Sequence, residues 1–467
     1  VFGTWNKGAK KFNLRTGSQN MNLKKTNISI IGLGDSGYWS AKLASLLGAN
    51  VFVSDSKENI NEDYIQDLTD LNIKVELGNH SKEVLNSDLI IKSPGVPKNI
   101  DILQEAKKNN IQIIGEVEFA YRFSNLELIA ITGTNGKTTT VSCLHKILSK
   151  KFNVIKSGNI GIPFSKIVYE ENKNMITEND FCILELSSFQ TEDIQEFKPK
   201  IALILNITED HLDRYDNFTS YCKSKMNLLK NMGKDDLVIY NCDDEVISKE
   251  INKINVPCIS YSLNKEHSQF YLEDNKIKSS SNENFLLIDD CKLKGVHNIS
   301  NFIGIATIAK KLDMNDELIF SSLKEFEGLE HRFEFVKEID GIKFINDSKA
   351  TNISSVEVAI KSIGKNVLLI MGGLSKNSDF SKILQYHSAI KLIIAYGMAA
   401  KDITASLSSS IHVIEQNKFK DAVDNAFALA KEGDSVLMSP ACASFDQFDN
   451  FEHRGSFFKE IVNGYTS

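Results

Sequence analysis

A lysine, five threonines and two glycines fall within Thr132-Gly133-Thr134-Asn135-Gly136-Lys137-Thr138-Thr139-Thr140, between an apolar run and a helical pattern. Those types in that order suit a nucleoside triphosphate. Glycine lets backbone N–H groups close on phosphate oxygens, a helix N-terminus adds partial positive charge, Lys137 can reach the outer phosphates, and the Thr138 hydroxyl can hold Mg²⁺. Gly133 through Thr140 are thus the expected nucleotide contacts. The glycine that usually stands five residues before Gly136 is Ile131 here, so the turn is shorter than the common phosphate loop.

Three more segments could do chemistry beside it. Leu184-Glu185-Leu186-Ser187-Ser188-Phe189-Gln190 buries a carboxylate in an apolar run, where a metal ion is a common compensation. Glu185 is therefore a Mg²⁺ candidate, with a structural ion pair as the alternative. Asn206-Ile207-Thr208-Glu209-Asp210-His211-Leu212-Asp213-Arg214 gathers acids, one histidine and one arginine at the end of the run Ile201 to Leu205. Gly158-Asn159-Ile160-Gly161 is a turn whose Asn159 amide could face a substrate.

Such groups need strands to deliver them. Apolar runs at Ile28 to Ile31, Val51 to Val53, Leu89 to Ile91, Ile129 to Ile131, Ile183 to Leu186, Ile201 to Leu205, Val367 to Ile370, Leu392 to Ala395 and Val436 to Met438 alternate with helical patterns, the mark of parallel α/β architecture. Boundaries are expected near Gly115 and Gly328. They give 21–115 as a first domain, 116–328 as a nucleotide-binding middle domain and 329–467 as a third, with residues 1–20 a disordered extension. The polar tract from Glu245 to Lys294 reads as surface hairpins.

Gly32-Leu33-Gly34-Asp35-Ser36-Gly37 follows a strand and opens a helix, and Asp55 ends the next strand. The pattern fits the dinucleotide fingerprint, so a nicotinamide oxidoreductase is one reading. The motif supplies a pyrophosphate seat and an acid for a hydroxyl-bearing group, which a uridine diphosphate sugar also satisfies. A ligand-free tight turn is the third possibility.

Composition narrows the field. The 467 residues exceed one ordinary core, and 42% hydrophobic with 25% charged residues is globular. A formal net charge of -7 argues against wholesale binding to nucleic acid or membrane surfaces. Seven scattered cysteines without a Cys-x-x-Cys indicate neither a zinc site nor a disulfide framework and suit a reducing cytoplasm.

In the last third, His331-Arg332-Phe333-Glu334, Asn346-Asp347-Ser348-Lys349-Ala350-Thr351-Asn352, Gly372-Gly373-Leu374-Ser375-Lys376 and Ser439-Pro440-Ala441-Cys442-Ala443-Ser444-Phe445-Asp446-Gln447-Phe448 lie around apolar runs. Loops at strand ends are where α/β proteins bind ligands.

Taken in order, the phosphate loop, Gly158-Asn159-Ile160-Gly161, Leu184 to Gln190 and Glu209 to Arg214 resemble the Mur ligases of peptidoglycan synthesis, whose phosphate loop has this shortened form. The resemblance implies three α/β domains: a Rossmann-like N-terminal domain, a central P-loop-type ATPase domain with a mostly parallel sheet, and a Rossmann-like C-terminal domain. It implies ATP and two Mg²⁺ ions. Thr138 and Glu185 would hold one ion, and His211 and a carbamylated lysine the other. By position that lysine is Lys225, which the residues alone do not separate from Lys223. The C-terminal loops, with Phe451-Glu452-His453-Arg454-Gly455, are similar to the branch that adds D-glutamate to UDP-N-acetylmuramoyl-L-alanine through an acyl phosphate.

On that resemblance, Lys137, Glu185, His211, Lys225 and Lys349 carry catalysis. Asn298, Asn301, Arg332 and Asp347 join the ATP contacts. Gly34, Asp35, Ser36, Asp55, Ser56, Gly95, Asn159 and Ser187 hold the UDP substrate, and Thr351, Lys376, Ser444, Phe445 and Phe451 surround D-glutamate. Asp35-Ser36 departs from the apolar-Thr pair often found there, so Asp35 is expected to contribute its backbone. A monomeric cytoplasmic enzyme without nucleic-acid or membrane partners is expected. An ATP-gated binding module without chemistry is the rival from another class.

Overall fold

The computed structural model describes residues 23–159, 161–175, 180–211, 214–264, 268–279, 284–287, 290–293, 295–375 and 378–465. The extension at 1–20 and Lys376 lie outside them. Three sheets account for the strands. The first has β1 (Asn27–Ile31), β2 (Asn50–Asp55), β3 (Lys74–Leu77), β4 (Leu89–Lys92) and β5 (Gln112–Gly115), all parallel in the order β3-β2-β1-β4-β5. The strand order reverses between β1 and β4. Such a switch point opens a crevice at the carboxyl ends of the strands, and the turns at Gly32 and Ser93 both leave from it.

The second sheet contains β6 (Leu128–Thr132), β7 (Val154–Gly158), β8 (Phe181–Leu186), β9 (Ile201–Ile204), β10 (Leu237–Asn241), β11 (Cys258–Ser262), β12 (Phe270–Glu273), β13 (Lys276–Ser279) and β14 (Asn284–Leu287), in the order β7-β8-β6-β9-β10-β11-β12-β13-β14. Strands β6 to β12 run parallel, and β13 and β14 close the edge antiparallel. Every residue of β6 and β8 is buried, as helices on both faces of a parallel sheet require. The Glu245 to Lys294 tract corrects the hairpin expectation. It begins with the helix Glu245–Ile251 and then adds β11 in parallel to the sheet; Ile247 and Tyr261 are fully buried there. Only β12 to β14 form the expected meander.

The third sheet holds β15 (Glu334–Ile339), β16 (Ile342–Asn346), β17 (Val367–Gly372), β18 (Ile390–Tyr396), β19 (Val413–Gln416) and β20 (Ser435–Ala441), in the order β15-β16-β20-β17-β18-β19, with β15 alone antiparallel. Period-2 alternation sends Leu369 and Met371 into the core on one face and Leu368 and Ile370 into that on the other. The chain forms two compact units: the first two sheets with their helices, and the third sheet together with Thr208–Phe218 and Cys291–Ile299. No helix among the described residues is long and apolar enough to cross a membrane.

Candidate active site

The phosphate loop leaves β6 and enters the helix Lys137–Leu148. Gly136 has φ 84°, and a Cβ there would stand 2.8 Å from the Asn301 amide nitrogen, so position 136 needs glycine twice over. The loop is held from outside its own segment. Asn206 accepts from the Asn135 N–H at 2.8 Å and donates to the Asn135 carbonyl at 3.0 Å. The Thr134 hydroxyl meets the Tyr221 hydroxyl at 2.9 Å. Lys137 Nζ donates to the carbonyls of Gly133 and Thr134, each at 2.7 Å, and the buried Lys225 donates to the same Gly133 oxygen at 2.8 Å. Two lysines thus converge on one carbonyl of the loop. Thr138 opens the helix half-buried, whereas Thr140 turns its hydroxyl back onto the Gly136 carbonyl at 2.8 Å. Thr140, expected among the nucleotide contacts, uses its hydroxyl within its own helix turn.

Glu185 is the penultimate residue of β8, the neighbour of β6. Its Oε1 accepts from Asn159 Nδ2 at 3.2 Å, while Oε2 is buried with no hydrogen-bond partner. A buried carboxylate oxygen without a donor is costly unless a cation meets it. Asn159, expected to face substrate, orients this carboxylate. Gly158 permits the approach, because a Cβ there would lie 2.2 Å from the Glu185 carbonyl. No cluster of three or more His, Cys, Asp or Glu side chains suited to a metal occurs among the described residues. The Glu185 carboxylate fits Mg²⁺, which is commonly held by one or two carboxylates with substrate phosphates and water completing its shell. His211, in a left-handed conformation with φ 55°, lies in the Thr208–Phe218 segment of the second unit, with Nε2 3.6 Å from Asp210. Asn298 also belongs to the second unit, whereas Asn301 sits against Gly136 in the first.

At the switch point of the first sheet, Gly37 is obligatory: a Cβ there would lie 1.9 Å from the Gly32 carbonyl. Asp55 accepts from the Leu33 N–H at 2.6 Å and the Lys57 N–H at 2.8 Å, so both its oxygens brace the turn. Open space surrounds the Cα atoms of Gly34 and Gly95 where a side chain would project. The Asp35 carboxylate accepts from the Tyr64 hydroxyl at 2.6 Å, and this bond pushes the Tyr64 phenol up to about 12. Asp35 thus uses its side chain within the fold. Ser56 is exposed and Ser36 half-buried, while Ser187 is tied to Gln190 Oε1 through its N–H and its hydroxyl, each at 3.0 Å.

In the second unit Asp347 follows β16. Its Oδ1 accepts from the Phe333 N–H at 3.1 Å and its Oδ2 from the Ser439 hydroxyl at 2.8 Å. Burial outweighs these bonds and the nearby Arg332 and Arg454, and raises the Asp347 carboxyl to about 7. His331, with φ 62°, fits only because residue 455 is glycine, where a Cβ would lie 2.2 Å from Nδ1. Asn346 Nδ2 donates to that Nδ1 at 2.9 Å, leaving the ring proton on Nε2, and burial holds the imidazole below its ordinary value. The His331 carbonyl accepts from the Lys349 N–H at 3.0 Å, and Lys349 Nζ stands 3.8 Å above the Phe451 ring. Ser444 is buried, Thr351 and Phe451 half-buried, and Phe445 is 68% exposed. Lys349, Thr351 and Phe451 thus gather at one end of the sheet. Asn206 and Ser439 hold these loops without having been singled out from sequence.

Family models match along the chain: the Mur ligase MurD-like N-terminal domain over residues 26–115, the Mur ligase middle domain over 131–309, and the Mur ligase glutamate ligase domain over 331–442. A curated relative from Thermoanaerobacter sp. (strain X514) is 39% identical over 95% of this chain and 99% of its own length. The chain belongs to the Mur ligase family. That relative, and one from Clostridioides difficile (strain 630) that is 38% identical over 95% of this chain and 99% of its own, are named UDP-N-acetylmuramoylalanine--D-glutamate ligase. Among solved structures, a MurF ligase from Thermotoga maritima in complex with ADP aligns with TM-score 0.60 at 13% identity, over 95% of this chain and 96% of its own. UDP-N-acetylmuramate-alanine ligase MurC from the same organism aligns with TM-score 0.57 at 18% identity, over 94% and 99%. These likenesses give the Mur ligase fold; they do not support the oxidoreductase reading of the Gly32 motif.

Proposed function

We propose that this chain is an ATP-dependent amide ligase that adds D-glutamate to UDP-N-acetylmuramoyl-L-alanine in peptidoglycan precursor synthesis. The L-alanyl carboxylate attacks the γ-phosphorus of ATP, ADP leaves, and an acyl phosphate forms. The amine of D-glutamate then adds to the acyl carbon, and the tetrahedral intermediate expels inorganic phosphate to leave the amide. Lys137 offsets charge on the phosphates, which is where most of the catalytic benefit in phosphoryl transfer arises. Asn301, Arg332 and Asp347 serve ATP, Lys349 faces the acyl phosphate, and Thr351, Ser444 and Phe451 receive D-glutamate. Thr138 and Glu185 would hold one Mg²⁺, and His211 with a carbamylated Lys225 a second, the ions neutralising phosphate charge when bound.

The observation that carries the reading is Glu185 Oε2, buried without a partner one strand from the phosphate loop. The names of the full-length relatives supply the acceptor and the amino acid. The test is phosphate release on mixing ATP, Mg²⁺, UDP-N-acetylmuramoyl-L-alanine and each enantiomer of glutamate. Release that depends on the D form is expected; release with neither form, or with the L form alone, overturns the reading. Lys137→Ala should lower kcat by about a hundredfold or more with the thermal midpoint unchanged.

A further inference from the structure

Arg454 heads the side chains that are fully buried in the chain, yet it forms no salt bridge among the described residues. Its partners are neutral. Nε donates to the Ser348 hydroxyl at 2.9 Å, Nη1 to the Tyr396 hydroxyl at 3.1 Å, and Nη2 to the carbonyls of Ser348 at 2.8 Å and Cys442 at 3.2 Å. Its charge acts at longer range on the Asp347 carboxyl. A buried guanidinium without a carboxylate carries a desolvation cost that an apolar side chain of similar size would avoid. Its place in the fold therefore needs another reason.

That place is the junction of the loops at the carboxyl end of the third sheet. Ser348 precedes Lys349 and Thr351 after β16. Cys442 precedes Ser444 after β20, and Tyr396 ends β18. Gly373, after β17, comes so near that a Cβ there would stand 3.2 Å from Nη1. Ser348 is fixed further by its own hydroxyl, which donates to the Phe451 carbonyl at 2.8 Å. Phe451 lies three residues before Arg454 on the helix Phe451–Gly464, so Phe451 and Arg454 occupy neighbouring positions on it. One planar fork thereby sets the spacing of loops that arrive from separate strands.

We propose that Arg454 is a positioning residue for the amino-acid subsite. Its fork holds Ser348 and Cys442 at the spacing that presents Lys349, Thr351 and Ser444 to the incoming amino acid, and its charge makes that pocket attractive to one with two carboxylates. The proposal rests on the D-glutamate reading for the ligand and on the hydrogen bonds above for the mechanism. Lysine at 454 keeps a charge but offers one ammonium in place of the fork, so it cannot span both carbonyls and both hydroxyls. Phenylalanine at 396 removes one bond and leaves the rest.

The test uses the full chain with Arg454→Lys and Tyr396→Phe, and varies ATP, UDP-N-acetylmuramoyl-L-alanine and the amino acid separately. Expected for Arg454→Lys are a KM for D-glutamate raised about tenfold or more and a lowered kcat, with the KM values of ATP and the UDP substrate within about twofold of wild type. Tyr396→Phe should raise the D-glutamate KM by about threefold, because it removes one of the four hydrogen bonds of the guanidinium and leaves three, and it supplies the measurement if Arg454→Lys does not fold. Equal shifts in all three KM values, or a lower thermal midpoint with unchanged kinetics, overturn the positioning role. L-alanine and meso-diaminopimelate are tested alongside. A selective KM effect on one of them, with no turnover of D-glutamate by wild type, upholds the role of Arg454 and overturns the D-glutamate reading; selectivity for D-glutamate upholds both.

Discussion

Asp347→Asn separates the cost of burying a charge from the use made of it. Its carboxyl rises from 3.8 to about 7 because burial outweighs the hydrogen bonds from Phe333 and Ser439. When the pKa in the fold exceeds that in the unfolded chain, the folded state binds more protons between the two values, and stability falls as pH rises through that window. No penalty exists below about pH 4, and the full one is present above about pH 7. The rise corresponds to about 4 kcal/mol, and about half of that is expected to survive relaxation of the interior. Asparagine keeps the shape. Its oxygen can accept from the Phe333 N–H and its amide can donate to the Ser439 oxygen. The variant should lie close to wild type at pH 4.5, where only about 1 kcal/mol of the penalty has set in, and exceed it at pH 8.5 by about 2 to 4 kcal/mol in the transition of the unit that contains it, followed by urea unfolding at both pH values. At pH 8.5 the same variant should bind ATP more weakly, because Asp347 is assigned to ATP. A stability difference that does not change with pH, or one that shrinks as pH rises, would refute the argument.

Two other changes probe the loops of the first unit. Asn206→Ala removes both hydrogen bonds that fix Asn135 and should raise the KM for ATP by about tenfold, measured by phosphate release; an unchanged KM would mean that the loop holds its shape unaided. Gly37→Ala forces a Cβ to within 1.9 Å of the Gly32 carbonyl and should reopen the turn. Calorimetric titration with UDP-N-acetylmuramoyl-L-alanine should then show binding weaker by about tenfold or more, and wild-type affinity would remove the turn from the substrate seat.

The phosphate loop was legible because its function is local: glycines, lysine and threonines stand within one turn of each other, and β6 delivers them. The alternation in β17 and the buried runs of β6 and β8 were legible for the same reason. Roles set by tertiary contact were not. Asn206 meets Asn135 across 71 residues and Arg454 meets Ser348 across 106, and nothing in either neighbourhood announces the partner. Tyr64 could not be tied to Asp35, because their helices start in different βα units. The helix Glu245–Ile251 was missed although its signals were present: Asp244 caps it by accepting from the Val246 and Ile247 N–H groups, and Ile247 and Ile251 lie one turn apart, both buried. Its many charged neighbours masked an apolar stripe only two residues wide.

The Thr208–Phe218 excursion bears on how this chain can be recombined. Asp210 Oδ2 accepts from the Asn352 amide at 3.1 Å, and the Thr208 hydroxyl meets the Ser354 hydroxyl at 3.2 Å, both at the start of the helix Ile353–Ile363, while Glu209 pairs with Lys382. A gene cut at the start of the last third would therefore separate the C-terminal sheet from a strap that lies more than a hundred residues upstream. Chimaeras meant to trade amino-acid selectivity between relatives should carry 208–218 and 291–299 along with 326–467, and the shuffling unit here is a set of three pieces rather than one contiguous block.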